Sequence, residues 1–290
     1  MKKYIPLFLL AFGVCACHNT PQQPVSQNTT DTVQTPQKPA FQRDTTAPYG
    51  SPQNPVRLEE GKPIDMSLLQ GRQQAPKGET AARNIDSIRS HANQDEPDYM
   101  YILGCCYEEG WGVEQDYKEA MDWYLRASEK GQRNAFGAIG GLYRVGKGVD
   151  SNPEKSAEWF RKGAEKEDPN SLLCLGNCYY SGYGVPKNLD QAVQCWSLAA
   201  ELGNPYALSQ MGDVYLGGLG VEKNLDKAVE YYQKAAEKNV PNAQYRLGVL
   251  TFYGQGVPKD EAYAKLLINK ARENGVEQAQ TFLDKHFPNS

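Results

Sequence analysis

Self-similarity at a fixed spacing constrains this chain more than any other feature. Leu103-Gly104, Ile139-Gly140, Leu175-Gly176, Met211-Gly212 and Leu247-Gly248 recur every 36 residues. Tyr107, Tyr143, Tyr179 and Tyr215 keep the same step, with Thr251 in the fifth place. So do five loops that carry two glycines one residue apart and end in Val113, Val149, Val185, Val221 and Val257. Asp116, Asn152, Asn188, Asn224 and Asp260 follow, and then Ala120, Ser156, Ala192, Ala228 and Ala264. No insertion breaks the register. A period of this length marks stacked supersecondary units, each too small to bury an apolar face alone.

Each copy reads as two helices. In the first, Tyr99, Leu103, Cys106 and Tyr107 fall at helical spacing, which predicts helix A over about 98–109. The paired glycines end it. The Asp or Asn that follows is a preferred N-cap for helix B, which stops near Gly131. Asp116 with Glu119 and Asn188 with Gln191 have capping-box spacing. An amphipathic stretch within 79–96 predicts an N-terminal capping helix, and Glu277 to Leu283 reads as a sixth helix A. The expected fold is all-α: five 36-residue helix-turn-helix repeats over 97–290 with capping helices at both ends. The loop around Gly182 and Gly184 could suggest a phosphate cradle, but it is one of five equivalent turns, and no Lys-Ser/Thr pair follows the glycines.

The pattern A-x-x-x-L-G-x-x-Y-x-x-G-x-G-V-x-x-D/N-x-x-x-A-x-x-W/Y-Y/F, nearly whole over 207–232, resembles the Sel-one-like repeat, a relative of the tetratricopeptide repeat. The resemblance covers about 97–286. It implies a right-handed α–α superhelix and a role in protein–protein contact. Lipoproteins of this type include a scaffold for exopolysaccharide export. A cysteine-rich branch staples its repeats with cysteines seven residues apart, a pattern absent from this chain.

The N-terminus differs in character. Two lysines precede an apolar run from Ile5 to Val14, too short for a membrane span and suited to a signal peptide. Val14-Cys15-Ala16-Cys17 resembles a bacterial lipobox, which implies cleavage after residue 16 and a lipid on Cys17. His18 at the next position implies, by the enteric sorting rule, the outer membrane facing the periplasm. Residues 17–78, rich in Pro, Gln and Thr, read as a disordered tether with a reach of roughly 45 Å.

A net charge of −4 gives no basic footprint for nucleic acid. The only histidines in the predicted domain are His91 and His286, both outside the repeats, so no metal site, catalytic constellation or cofactor is expected. Five cysteines remain after cleavage. Cys106, Cys178 and Cys195 sit in core columns, Cys174 lies one turn before Cys178, and Cys105 is expected to be exposed. An odd count leaves one thiol free or paired between molecules.

Opposite the core direction of helix A lie the columns of Tyr101, Cys105 and Glu108, expected to line a concave groove. Unlike the repeat-defining columns, these vary fully. The candidate partner-binding residues are Tyr101, Glu108, Arg144, Asn177, Tyr180, Asp213, Leu216, Tyr245, Val249 and Phe252. The apolar strip at its C-terminal end either anchors a partner or lies under the sixth helix. The expected function is a membrane-anchored scaffold that binds a peptide or protein segment. A periplasmic regulator of a sensor or export complex, or a cell-wall or β-lactam-related enzyme, are the other readings.

Overall fold

The structure, a computed structural model, describes residues 79–288. The expected signal peptide over 1–16, the expected lipid site Cys17 and the expected tether over 17–78 lie outside these residues. The described residues form twelve helices and no strand. Helix α1 (Glu79–Asn93) is the N-terminal cap. Five pairs follow: α2 (Pro97–Glu109) with α3 (Tyr117–Glu129), α4 (Arg133–Val145) with α5 (Pro153–Glu165), α6 (Pro169–Ser181) with α7 (Leu189–Glu201), α8 (Pro205–Gly217) with α9 (Leu225–Glu237), and α10 (Pro241–Tyr253) with α11 (Glu261–Glu273). Helix α12 (Glu277–His286) closes the described array. Every helix of the five pairs has 13 residues. Each helix B packs on helix A of its own repeat, then on helix A of the next. This is an α–α solenoid.

Close approach explains the Leu-Gly pair. A Cβ on Gly212 would stand 2.5 Å from the Tyr232 ring, and one on Gly176 would stand 2.6 Å from Trp196. The glycine lets the large helix B side chain lie flat against helix A. Trp196 and Tyr232 are thereby fully buried.

Helix B begins as expected, but its cap differs from a capping box. Asn188 Oδ1 accepts from Gln191 N at 3.0 Å, and Asp116 Oδ1 from Lys118 N at 2.8 Å. The cap's own N–H goes elsewhere. Asp116, Asn152, Asn188, Asn224 and Asp260 donate it to the carbonyls of Tyr107, Tyr143, Tyr179, Tyr215 and Thr251. The glycine loop folds back on helix A, so a main-chain acceptor replaces the box's Glu or Gln.

The caps of helix A hold one imbalance. Asp168 is buried; its Oδ2 accepts from Ser171 N at 2.7 Å, while its buried Oδ1 has no hydrogen-bond partner. Burial raises its carboxyl above the usual range, against the pull of the Ser171 and Asn170 bonds and the Arg133 charge. Asn204, one repeat on, donates Nδ2 to Asn170 Oδ1 at 2.9 Å. Asp168→Asn keeps the cap and gains that donor, so it should stabilise the fold at neutral pH by about 1 kcal/mol. A raised folded-state value means that wild type recovers stability as pH falls through it towards the ordinary carboxylate value. The variant's advantage in urea unfolding should therefore shrink on acidification; a pH-independent difference would contradict this account.

Candidate functional site

The ten candidate residues all lie on helices A, but the free face of those helices is turned from the direction expected. Helix A is packed on both sides. The column of Met100, Phe136, Leu172, Leu208 and Gln244 is buried throughout, as is that of Leu103. Columns 98 and 109 are never buried, column 105 is half-buried from repeat two on and column 102 from repeat three on, so the open arc is rotated by roughly 60° from the expected centre. A core direction read from one apolar stripe misses the second packed side.

Tyr101 is consequently buried, 8% exposed, with its ring 5.6 Å from Tyr124. Cys105, expected to be exposed, is buried at 6% beneath the same tyrosine. The other nine candidates are half-buried. Missed on the open arc were Tyr206 (53% exposed), Tyr253 (49%) and Val145 (41%), together with Arg246. The signal was available in the sequence, since columns 98 and 109 carry no repeated apolar residue.

The C-terminal strip lies against the last helix. Tyr245, Val249, Phe252 and Phe287 pack on a core of Ile268, Ala271, Phe282 and Leu283. The Phe252 ring lies 5.3 Å from Phe282 and 4.8 Å from His286. Tyr180 sits 5.5 Å from Trp196, with Lys187 Nζ 5.7 Å from its ring. Leu216 borders the central core. Arg144 lends its carbonyl to Ser151 Oγ at 3.2 Å and to Tyr183 OH of the next loop at 3.1 Å.

One variable column has an internal partner. Tyr124 OH donates to Glu108 Oε2 at 2.6 Å and lies 3.4 Å from Cys105 Sγ. Trp196 Nε1 donates to Asn177 Oδ1 at 3.0 Å. Tyr232 OH donates to Asp213 Oδ1 at 2.6 Å, with Arg246 Nε at 3.5 Å from the same oxygen. The corresponding pairs in repeats two and five are Gly141 with Phe160 and Val249 with Ile268. Polar helix B tips face acceptors on helix A, and apolar tips face residues without one. Variation in this column thus tracks the helix behind it.

Cys106, Cys178 and Cys195 are free thiols. Burial raises Cys106 and Cys195 to about 12 and Cys178 to about 11, which makes them poor nucleophiles. No cluster of His, Cys, Asp and Glu suited to a metal occurs among the described residues. No described helix is long and apolar enough to cross a membrane.

The Sel1 repeat profile matches this chain five times, over 97–132, 138–168, 171–204, 205–240 and 241–276. A Sel1 repeat protein from Oxalobacter formigenes is 35% identical, with 66% of this chain and 78% of that one covered and a TM-score of 0.62. The c5321 protective antigen of uropathogenic Escherichia coli, which displays an SLR fold, is 31% identical over 75% of this chain, with a TM-score of 0.60. The match spans 47% of that protein's chain. Immunity protein Pa5087 from Pseudomonas aeruginosa shares the fold at 22% identity and a TM-score of 0.51, over 72% of this chain and 81% of that one. No curated protein matches the chain. With five profile matches in register and the same helix-pair stack in its relatives, the chain belongs to the Sel1 repeat family.

Proposed function

We propose that this protein is a lipid-anchored interaction scaffold of the bacterial cell envelope, and that the open arc of its helices A binds a protein or peptide segment. Sel1 repeat proteins are generally protein-interaction scaffolds. The relation to a protective antigen agrees with an envelope location, as does the lipobox-like Val14-Cys15-Ala16-Cys17.

The observation that carries the binding surface is Gly141. A glycine within a helix costs ~1 kcal/mol against alanine. At Gly104, Gly140, Gly176, Gly212 and Gly248 a packed side chain explains the cost. At Gly141 a Cβ would meet nothing within 4 Å. The fold does not require this glycine; an approaching partner backbone does. Arg144 and Val145 follow on the same helix, and Tyr180 and Leu216 occupy the Arg144 column in the next two repeats.

Gly141→Ala should therefore raise the melting temperature by roughly 2–4 °C. Gly141→Leu should fold normally and lose the partners that wild type captures in cross-linked pull-downs from envelope extracts. Undiminished capture would overturn the reading of this surface. In the same cells Cys17→Ser should abolish palmitate labelling and membrane retention; an unlabelled wild type would remove the anchor from the proposal.

A further inference from the structure

The outer side of the last helix B departs from the other four in a way that neither the core nor the helix A face explains. Three columns there are charged or amidic in repeats one to four: Lys118, Glu119 and Asp122 in the first, then Glu154, Lys155 and Glu158, Asp190, Gln191 and Gln194, and Asp226, Lys227 and Glu230. In α11 they become Ala262, Tyr263 and Leu266. Tyr263 is 47% exposed and Leu266 48%. Large apolar groups thus stand in solvent where the repeat elsewhere places charge.

The neighbouring column changes the opposite way. Met121, Ala157, Val193 and Val229 become Lys265. A Cβ on Gly256, in the fifth loop, would touch Val229 Cγ2 at 3.2 Å, so a following loop covers that column in earlier repeats. Among the described residues no such loop covers α11. A shallow groove along it is lined by Ala262, Lys265, Leu266, Asn269, Lys270, Arg272 and Glu273. Lys265 Nζ lies 5.5 Å from the Phe287 ring. Lys270, Arg272 and Glu273 are exposed.

We infer that this groove is a second docking site, independent of the helix A face, and that its occupant is an amphipathic helix with acidic flanks on a partner protein. Ala262 and Leu266, one turn apart, form a ridge-and-groove surface of the kind that helices pack against. Three cations against one carboxylate select acidic flanks. The same excess of positive charge repels a second copy presenting this face.

The probe is a 13-residue lactam-bridged helix with leucines along one face and glutamates on both flanks, compared by fluorescence anisotropy with a twin carrying lysines for the glutamates. Against the full chain, the acidic helix should bind at least tenfold more tightly than the basic one. Leu266→Glu with Tyr263→Lys installs the fourth repeat's own residues and should keep the wild-type melting temperature. It should weaken the acidic helix at least tenfold. Equal binding of the two peptides, or no loss in the variant, would overturn the inference. So would variant-sensitive binding to phosphatidylglycerol vesicles without peptide binding, which would make the face a membrane contact, or variant-sensitive self-association in sedimentation.

Discussion

Gly184→Val should lower the melting temperature by roughly 6–12 °C, the largest effect expected of any single change in the loops. Gly184 has φ of +68°, a left-handed conformation that a β-branched residue adopts only with strain. That alone costs about 1–2 kcal/mol. A Cβ here would also collide with the carbonyl oxygen of Pro153, the first residue of the preceding helix B. Main chain at a helix start cannot move aside as a flexible side chain can, so the total should reach about 3 kcal/mol. The defect falls between repeats two and three. A solenoid's stability is close to a sum of repeat and nearest-neighbour terms, so uncoupling should appear there first. Hydrogen exchange should accelerate in α5 and the 182–188 loop before the terminal repeats. The control is Gly220→Val, with φ of +68° and its nearest obstacles the Asp190 carboxylate and the Leu189 side chain, both at 3.6 Å. It should cost about half as much. Equal losses at the two sites would refute the collision argument.

That contrast shows what the sequence discloses and what it withholds. The paired glycines, the Asp or Asn caps and the 36-residue step mark nearly every helix boundary, because each is a local demand on backbone angles or orphan N–H groups. Pro153 lying over Gly184 is a contact between repeats and leaves no mark in either residue. The helix A face was legible in part. Its columns were identifiable, but its direction was not, since the buried Met100 column looks like a second apolar stripe only once both neighbouring helices are in place. Cys105 went wrong for a related reason. Gly141, Asn177 and Asp213 in its column suggest exposure, whereas Asn177 and Asp213 each answer to one helix B side chain. Reading columns 105 and 124 together would have shown Asn177 beside Trp196 and Asp213 beside Tyr232.

That pairing predicts the second large effect. Tyr232→Phe removes the hydroxyl that donates to Asp213 Oδ1 and leaves a largely buried carboxylate facing only Arg246 at 3.5 Å. A hydrogen bond to a charged group is worth about 1.5–3 kcal/mol, so the loss should be near 2 kcal/mol at neutral pH. Asp213→Ala orphans the buried Tyr232 hydroxyl and should cost about 1–2 kcal/mol. The double variant removes both polar groups and approaches the apolar solution of the fifth repeat, Val249 with Ile268. It should therefore recover about 1 kcal/mol or more of the summed single losses. Burial raises the Asp213 carboxyl above its ordinary value, opposed by Arg246 and by the Tyr232 hydrogen bond. Without that bond it rises further. The penalty of Tyr232→Phe should be fully expressed above the raised value and fade as pH falls through it, because a protonated acid no longer needs the donor. Urea unfolding of the four proteins at neutral pH and in the acid range measures both effects. Losses that add within about 0.5 kcal/mol would mean that Asp213 and Tyr232 are not coupled. The variation of this column would then be free to serve partner selection, and Asp213 and Asn177 would return to the binding surface alongside Arg144, Tyr180 and Leu216.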